Sequence, residues 1–427
     1  MFNFLVRNIK EIIKCDANVL LRKLYKLIRL LIITIYYLPS FIFVTIISLV
    51  ILYFIKPFVI IRFQEVLSSR IGHFAGNIDL YIEEKKNFIN IQFKEKKYLD
   101  IFFVDSNSIS NKYLYKMWKK KLLFLPRYFC LPLFKTLNLQ KDNIHIIGNN
   151  AQSDRDIFNL LENSKPNIEL SDNEKRMGEN YLKRMGVKDL NKVICLNVRD
   201  SAFLPSLEYH NYRDGNINEY IHSAKHLANL GFYIFRMGKK VKNKIDIYNE
   251  NIIDYASSSD RSDFLDIYLA YKCKFCISTS SGFDALCTLF RKPIAFVTVP
   301  LGYIYTFNKK YLSITKHHID SKNNQKLSLK EIAHRKCLFA LSSQQYRDNS
   351  INLKHNNKYE ILDLCLEMLD LIDNNFERIL TKEEKIFWKQ FTEFTFKKKE
   401  ANMPLHGEFK SFFGQSFLKK NDYILSE

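Results

Sequence analysis

Short apolar runs alternate with amphipathic segments in the middle of the chain, between residues 193 and 302. The apolar runs begin at Val193, Phe232 and Phe275, and each ends abruptly in polar, charged or small residues. Between them, residues 217–230 and 262–271 carry apolar side chains at helical spacing. This alternation predicts βαβ units and a buried parallel sheet. Because ligands of such sheets bind beyond the carboxyl ends of the strands, the polar residues there predict a binding crevice.

A long uncharged segment near the N-terminus predicts attachment to a membrane. No charged residue occurs between residues 30 and 55, and basic residues outnumber acidic ones over residues 1–29. This length meets the roughly 20 residues that a transmembrane helix needs, and the run is too long for a secretory signal. Pro39 interrupts it, which leaves three arrangements open: a single span, a re-entrant helix pair with both ends in the cytoplasm, and a buried helical pair of a soluble domain. We favour membrane attachment.

Weaker α/β signals flank the central segment. Strands are predicted at residues 98–104 and 144–147 with a helix at 112–125, which indicates a first Rossmann-like domain. Ser171 and Glu174 have the spacing of a capping box, and Gly186 is expected to end that helix. Later helices are predicted at residues 327–333 and 359–379. The predicted parts are 1–62 (basic start and hydrophobic membrane-associated segment), 63–185 (first Rossmann-like domain), 186–345 (second Rossmann-like domain) and 346–427 (C-terminal helices and basic tail).

Composition narrows the classes of partner. The 427 residues carry a net charge of +20, which favours anionic partners. Lys, Asn and Ile are frequent throughout, however, and no nucleic-acid module is recognisable, so no nucleic-acid partner is predicted. The eight cysteines lack paired spacing over a long chain, which is typical of buried thiols in a reducing compartment.

Two arginines at strand ends are the first candidates for chemistry. Arg199 directly follows the first central strand, and Arg236 ends the next strand in the same register. Both are therefore expected at one edge of the sheet, where guanidinium groups suit bidentate contacts with a diphosphate. For Arg199, a salt bridge to Asp200 or Asp214 is the alternative.

A serine-rich turn and a group of charged residues are expected at the same edge. The turn contains Ser278, Ser280, Ser281 and Gly282 and precedes a helical pattern at residues 283–290, so its backbone N–H groups could face an anion. Ordinary helix capping would satisfy the same residues. Asp254, Arg261 and Asp263 follow the second strand; Asp263 also suits the first turn of a helix. Arg261 opposes that helix dipole, which predicts a nearby anion or a carboxylate such as Asp284.

Several familiar patterns are absent or incomplete. The sequence lacks G-x-G-x-x-G, the P-loop and G-x-S-x-G, which argues against a simple dehydrogenase, a P-loop NTPase and an α/β-hydrolase. Asp154-Arg-Asp156 has D-x-D spacing, but no strongly apolar strand leads directly into it, so no metal is predicted. Cys273 and Cys276 have no second pair and are expected to be structural thiols.

An ordered set of motifs resembles a family of bacterial glycosyltransferases found among surface-polysaccharide (capsule or O-antigen) biosynthesis genes. The motifs are Cys195-Leu-Asn-Val-Arg-Asp200, Tyr212-Arg213-Asp214, Phe235-Arg-Met-Gly238, Asp254-Tyr-Ala256, Arg261-Ser-Asp-Phe-Leu-Asp-Ile267 and Ser278-x-Ser-Ser-Gly282, with Arg70-Ile-Gly-His-Phe-Ala75 upstream. The resemblance covers about two thirds of the chain and implies a GT-B fold, in which two Rossmann-like domains face a cleft. The acceptor domain would be 63–185 and the nucleotide-sugar domain 186–345. Asn197 stands where the similar GT-B fucosyltransferases carry a His, so no donor is implied.

The resemblance also implies roles for the residues. Arg199 and Arg236 would hold the donor diphosphate, and Ser278, Ser280, Ser281 and Gly282 would form an anion-binding turn. Gly238, Asp254, Arg261 and Asp263 would order the same edge or contact the nucleotide. His73 is the expected general base, with Asp200 as the reserve.

The expected protein is a metal-independent glycosyltransferase without a cofactor, at the cytoplasmic face of the inner membrane. It would move a sugar from a nucleotide-sugar to a lipid-linked or polysaccharide acceptor. A GT-B-like nucleotide-sugar epimerase and a non-catalytic membrane scaffold of polysaccharide assembly are the alternatives.

Overall fold

The computed structural model describes residues 42–148, 154–202, 208–298, 300–396 and 405–426, with isolated positions at 21, 24, 25, 28 and 39. Apart from these isolated positions, the predicted basic start and the hydrophobic segment up to residue 41 lie outside the described residues. Within the described ranges, no helix has both the length and the apolar character needed to cross a bilayer.

Helices and strands alternate along most of the described chain. Up to residue 147 they are α1 (42–55), β1 (Val59–Glu65), α2 (Ile71–Lys86), β2 (Lys97–Phe103), α3 (Lys112–Lys119), β3 (Leu123–Phe124) and α4 (Arg127–Leu137). The central elements are α5 (Asp172–Arg184), β4 (Val193–Asn197), α6 (Ile217–Asn229), β5 (Tyr233–Arg236), β6 (Ile252–Ile253), α7 (Asp263–Lys272), β7 (Phe275–Ser278), α8 (Asp284–Leu289) and β8 (Ile294–Thr298). They are followed by β9 (Tyr311–Thr315), β10 (His317–Asp320), α9 (Leu329–His334), α10 (Ser343–Asp348), β11 (Ile351–Lys354), α11 (Lys358–Asp373), α12 (Lys382–Phe396), β12 (Phe412–Phe413) and α13 (Gln415–Lys420).

The larger sheet has seven strands in the order β12-β9-β8-β7-β4-β5-β6, and each neighbouring pair is parallel. Strands β4, β5 and β7 are buried along their whole length, as expected for a parallel sheet covered on both faces. The smaller sheet, β1-β2-β3, is also parallel. The predicted α/β class with parallel sheets is therefore confirmed.

The chain divides into two compact units. Of the described residues, the smaller unit contains those up to Glu65, Gln92–Val104 and Leu123–Ile147, and thus the three-stranded sheet with helices α1 and α4. The larger unit contains Val66–Ile91, Asp105–Leu122 and the described residues from Gly148 onward. Helices α2 and α3, expected within the first Rossmann-like domain (63–185), thus belong to the same unit as the seven-stranded sheet.

Helix α2 is joined to the chain more than 200 residues later by two close contacts. A Cβ atom at Gly72 would lie 3.1 Å from the Cα of Gly282, so the backbones nearly touch. Farther along the helix, the Asp79 carboxylate, fully buried, pairs with the Arg291 guanidinium at 2.6 Å. These contacts hold the first turn of α2 beside the loop that follows β7.

Local signals in the sequence account for several element boundaries. The predicted capping box of Ser171 and Glu174 is present at the start of α5, and Gly186 follows that helix with a φ of +82°. The helix expected at 112–125 ends at Lys119, because residues 123–124 pair with β2. Residues 144–147 form a single bridge to β1 rather than a strand. The helix expected to reach residue 379 ends at Asp373, before two residues with positive φ.

Candidate functional site

A cleft of about 800 Å³ opens in the larger unit beyond the carboxyl ends of β4, β5 and β7. Its walls include the residues that follow these three strands and the first turn of α2. This is the edge at which open parallel sheets bind ligands, and the volume suits a molecule of several hundred Å³.

Eight of the twelve predicted site residues line the cleft: His73, Arg199, Asp200, Gly238, Arg261, Ser280, Ser281 and Gly282. The other four, Arg236, Asp254, Asp263 and Ser278, do not line it. The prediction from strand ends thus located the cleft, while the packing of individual side chains decides which of them a ligand can reach.

Arg199 reaches the cleft and is partly paired. Its Nη1 lies 3.3 Å from Oδ1 of Asp214 and donates to the carbonyl of His210 at 3.0 Å. Its backbone N–H donates to the Thr279 hydroxyl at 2.8 Å, which fixes the residue to the loop after β7. Of the two carboxylates proposed as partners, Asp214 is the one that pairs with Arg199. The ion pair leaves the guanidinium partly exposed, at 14%.

Arg236 does not reach the cleft, so its predicted direct contact with a diphosphate is not supported by its position. The side chain is 1% exposed and donates to Oδ1 of Asp254 at 3.1 Å and to the Asn243 carbonyl at 3.2 Å. Asp254 also accepts from the backbone N–H of Ile245. Both side chains are therefore engaged in bracing the loop that follows β5.

Asp200, the reserve candidate for the general base, also braces that loop. Its Oδ2 accepts from the N–H of Lys242 at 2.7 Å and lies 3.9 Å from Arg236 Nη2. Its Oδ1 accepts from the N–H of Ala202 at 2.9 Å. With both oxygens accepting from the backbone, the carboxylate is poorly placed to accept a further proton from a substrate.

The serine-rich turn is partly filled by a carboxylate of the protein itself. Oδ2 of Asp284 accepts from the N–H of Ser281 and from the Ser278 hydroxyl, each at 3.0 Å. Burial raises the pKa of Asp284 to about 7. Asn197 donates to the Ser281 hydroxyl at 2.6 Å, and Ser280 adopts a φ of +57°. The turn is thus a rigid wall of the cleft, and the N–H of Ser281 is already occupied by the Asp284 carboxylate.

Arg261 and Asp263 take different roles at the start of α7. Arg261 lines the cleft, and its guanidinium pairs with Asp266 at 2.6 Å and donates to the carbonyl of Gly238. The carboxylate expected beside it, Asp284, is therefore not its partner. Asp263 lies outside the cleft and accepts from the backbone N–H of Lys112 at 2.7 Å, at the start of α3.

Arg70 and Arg213 also line the cleft, although neither was among the predicted site residues. With Arg199 they form a group that we call the arginine cluster. His210 lies beside it: burial lowers the pKa of this imidazole, and the charges of Arg213, Arg199 and Arg70 lower it further. In the part of the chain that the structure describes, Asp214 is the one carboxylate that forms an ion pair with the cluster.

The cluster consequently carries more positive than negative charge. Arg213 donates to the carbonyl of Ser280 and forms no ion pair with any described residue. Arg70 precedes α2 without capping it through its side chain, and its side chain is exposed. Both arginines belong to the sequence motifs that resemble the glycosyltransferase family, and these motifs were the one sign of a functional role. No apolar periodicity and no strand end marks their positions.

His73, the expected general base, occupies the first turn of α2 and faces the cleft. Its Nδ1 is buried and finds no hydrogen-bond partner among the residues that the structure describes. The N–H groups of the first turn of a helix also lack intrahelical acceptors and lie at the positive end of the helix dipole. This wall of the cleft thus offers donors and a histidine ring without an internal partner.

Asp154 and Tyr305 also line the cleft, whereas Asp156 does not. Oδ2 of Asp154 accepts from the Tyr305 hydroxyl at 2.6 Å. Asp156, the second acid of the D-x-D triplet, is buried and accepts from the backbone N–H groups of Leu160 and Leu161. Asp156 therefore serves the adjacent turn, and Asp154 alone of the two lines the cleft.

Comparison with known proteins finds structural matches but no matching sequence. No protein-family model and no curated protein matches the chain. ADP-heptose lipopolysaccharide heptosyltransferase II of Escherichia coli is similar in structure, at 11% identity and a TM-score of 0.43, over 73% of this chain and 99% of that one. A family 9 glycosyltransferase from Veillonella parvula DSM 2008 is similar at 10% identity and a TM-score of 0.42, over 73% of this chain and 97% of that one. The iron-containing dodecameric glycosyltransferase TibC from enterotoxigenic E. coli matches over 56% of this chain and 57% of its own, at 11% identity and a TM-score of 0.27. These three solved structures are described as glycosyltransferases, and the function of this chain is argued from its cleft.

Proposed function

We propose that the cleft binds the diphosphate of a nucleotide-sugar and that the protein transfers the sugar to an acceptor. The observation that carries this proposal is the arginine cluster, three arginines that line one cleft, with a single carboxylate among the described residues paired to them. Uncompensated cations at a partly buried site favour an anionic ligand, and arginine suits the planar, bidentate recognition of phosphate oxygens.

The proposed chemistry requires charge stabilisation more than a reactive side chain. When the bond between the sugar and the diphosphate breaks, negative charge accumulates on the leaving group. Preorganised donors at that place lower the barrier, since they need no rearrangement during the reaction. Arg70, Arg199 and Arg213 would supply this stabilisation without a metal ion. This replaces the pair Arg199 and Arg236 as the proposed diphosphate contacts.

His73 remains the proposed general base. An acceptor hydroxyl must lose a proton as its oxygen attacks the sugar, and a histidine facing the cleft without an internal partner is suited to accept it. Asp200 is less suitable, because both of its carboxylate oxygens already accept hydrogen bonds from the backbone.

The acceptor and location are proposed from the N-terminal sequence. A lipid-linked or polysaccharide acceptor at the cytoplasmic face of the inner membrane would account for the uncharged run at residues 30–55. An enzyme and an acceptor held at the same bilayer meet at a high effective concentration. The cytoplasmic face is proposed because nucleotide-sugars would be met there.

Ligand binding tests the proposal directly. We expect thermal stabilisation of the purified protein by at least one nucleoside diphosphate among ADP, UDP, GDP and CDP, with CMP as a monophosphate control. Ligand at 100 times its Kd stabilises by about 2.7 kcal/mol. The shift should persist in EDTA if the arginines, rather than a metal, neutralise the diphosphate. Absence of any shift across the panel would contradict the proposal and would favour the scaffold alternative.

Product analysis separates transfer from epimerisation. With a sugar-labelled donor that binds, transfer predicts label in the lipid or polysaccharide fraction, and loss of that label when His73 is replaced by Ala. An epimerase would instead release free or isomerised sugar without an acceptor. Label recovered only in free sugar would therefore overturn the proposed transfer while leaving nucleotide binding intact.

A further inference from the structure

Helix α1 is held by one face to the core of the smaller unit. Leu52 is buried there, and Leu49 packs against the same core while half-exposed. The core residues around Leu52 come from both long strands of the small sheet and from α4: Phe63, Ile101, Phe103, Cys130, Leu133 and Leu137. Thr45, one turn before Leu49, is also buried. The inner face of the helix therefore contacts protein over at least two turns.

The opposite face of α1 is exposed and entirely apolar. Its exposed residues are Ile42, Phe43, Ile46, Ile47, Val50, Ile51, Tyr53 and Phe54, with side chains between 42% and 75% exposed. A helix on the surface of a soluble domain normally turns charged and polar residues outward. A contiguous exposed apolar face of this kind marks an interaction surface rather than scattered surface residues.

Aromatic and lysine side chains surround the C-terminal end of this helix. The rings of Tyr53 and Phe54 contact each other edge to face, and Phe58 just beyond them is 76% exposed. Lys56 is exposed, and the ammonium group of Lys96, in the loop before β2, donates to the carbonyl of Pro57 at 2.8 Å. This bond places that loop beside the end of α1. Aromatic rings and lysines next to an apolar face are typical of a protein surface at the boundary between water and lipid.

We propose that the exposed face of α1 lies in the plane of an anionic lipid bilayer, with Lys56 and Lys96 near the lipid phosphates. A helix that crosses a bilayer independently is surrounded by lipid, whereas the face with Thr45, Leu49 and Leu52 is covered by the smaller unit. When the helix lies in the plane of the bilayer, one face contacts the smaller unit and the other contacts lipid. This inference rests on the membrane attachment within the proposed function and not on the transfer reaction, so its test measures lipid binding alone.

Binding of the full-length chain to vesicles is the first test. We would compare vesicles of phosphatidylglycerol and phosphatidylethanolamine with vesicles of phosphatidylcholine, for the wild type and for the triple variant Ile46→Gln, Val50→Gln, Phe54→Gln. The variant loses three large apolar side chains that would be buried in lipid, so its affinity for vesicles should fall at least about tenfold. A control variant carries Gln at two exposed apolar positions of the larger unit, Tyr248 and Ile379, and should bind as the wild type does.

Unchanged vesicle binding by the triple variant would overturn the proposal. If that variant also loses an oligomer that the wild type forms in light scattering, a second copy of the chain, rather than lipid, covers the face. Nucleoside diphosphate binding provides the fold control and should be unaffected in both variants. Its failure in the wild type would count against the proposed function, while the vesicle result would still stand.

The depth of the helix distinguishes an in-plane arrangement from a span. An environment-sensitive fluorophore would be attached to cysteine in the variants Phe43→Cys and Phe54→Cys, and quenched by lipids with nitroxides at a shallow or a deep position. In-plane binding predicts that both positions are quenched most by the shallow nitroxide. Eleven residues of helix rise about 16 Å, so a span would give clearly different depths and would overturn the in-plane proposal.

Discussion

Replacing Arg213 by Ala separates ligand binding from folding more cleanly than replacing Arg199 does. Arg213 lines the cleft, donates to the carbonyl of Ser280 and forms no ion pair with a described residue. Its loss should therefore cost the fold about 1 kcal/mol, the net value of one hydrogen bond. Arg199→Ala would be harder to interpret, because Asp214 would be left half-buried without its partner.

The expected loss of affinity follows from the contact that Arg213 would make with a diphosphate. Hydrogen bonds to charged groups contribute about 1.5 to 3 kcal/mol, which corresponds to roughly 10- to 150-fold in Kd. The variant Arg213→Lys keeps the charge but loses the planar pair of donors, so its affinity should fall between those of the wild type and Arg213→Ala. Because Arg213→Ala removes a charge, its binding should also depend less on salt than that of the wild type or of Arg213→Lys.

Titration calorimetry with the nucleoside diphosphate that stabilises the wild type most would measure these differences. Arg335→Ala is a matched control, since Arg335 belongs to the larger unit, pairs with Asp320 at 2.5 Å and lies outside the cleft lining. Thermal unfolding of each variant would confirm that the fold persists. An Arg213→Ala protein that binds the nucleotide within twofold of the wild type would refute the assignment of the arginine cluster to the diphosphate.

Three further predictions address the base, a buried acid and a close backbone contact. His73→Ala should slow transfer by roughly 10² to 10⁴ while nucleotide affinity measured by calorimetry stays unchanged; equal losses in both would point to a binding role instead. Burial raises the pKa of Asp284 from 3.8 to about 7, so its contribution to stability is full below about pH 4 and is lost as the pH rises through 7. At about 1.4 kcal/mol per pH unit, Asp284→Asn should be up to roughly 4 kcal/mol more stable than the wild type at pH 8 and similar to it at pH 4. Urea unfolding at the two pH values checks this. The same difference in free energy of unfolding between the two proteins at pH 4 and at pH 8 would contradict it. Gly282→Ala should lower stability by about 1 to 3 kcal/mol, since its Cβ would lie 2.7 Å from a methyl group of α2. Gly148→Ala, where a Cβ would meet nothing within 4 Å, should leave the melting temperature unchanged.

The central strands could be predicted because their local and tertiary requirements agree. The apolar runs beginning at Val193 and Phe275 are strands buried on both faces, so every residue in them except Asn197 is apolar or small. Helix α6 followed from its amphipathic spacing, and α5 from its capping box. The end of α3 could not be predicted, because the pairing of residues 123–124 with β2 is a contact between distant segments.

The edge of the sheet was predictable, but the orientation of each side chain was not. Arg199 and Arg236 were expected in the same register, but Arg236 pairs with Leu196, three residues before Arg199, and only Arg199 lines the cleft. Arg236 is covered because Asp254 and Asn243, both beyond the end of its strand, take its donors. Arg213 was missed for the converse reason, since a loop with no regular pattern carries it to the cleft.

The pairing of Asp79 with Arg291 and the near contact of Gly72 with Gly282 have a consequence for the biogenesis of this protein. When a nascent chain has emerged from the ribosome only as far as residue 200, Gly72 and Asp79 of α2 have been made but Gly282 and Arg291, which contact them, have not. Contacts of such sequence separation form slowly and leave apolar surface open to aggregation meanwhile. A fragment beginning at residue 186 would lack the helix altogether and would bury Arg291 without its carboxylate. This fragment, which carries the seven-stranded sheet, should therefore be soluble on expression only when residues 66–91 are produced in the same cell.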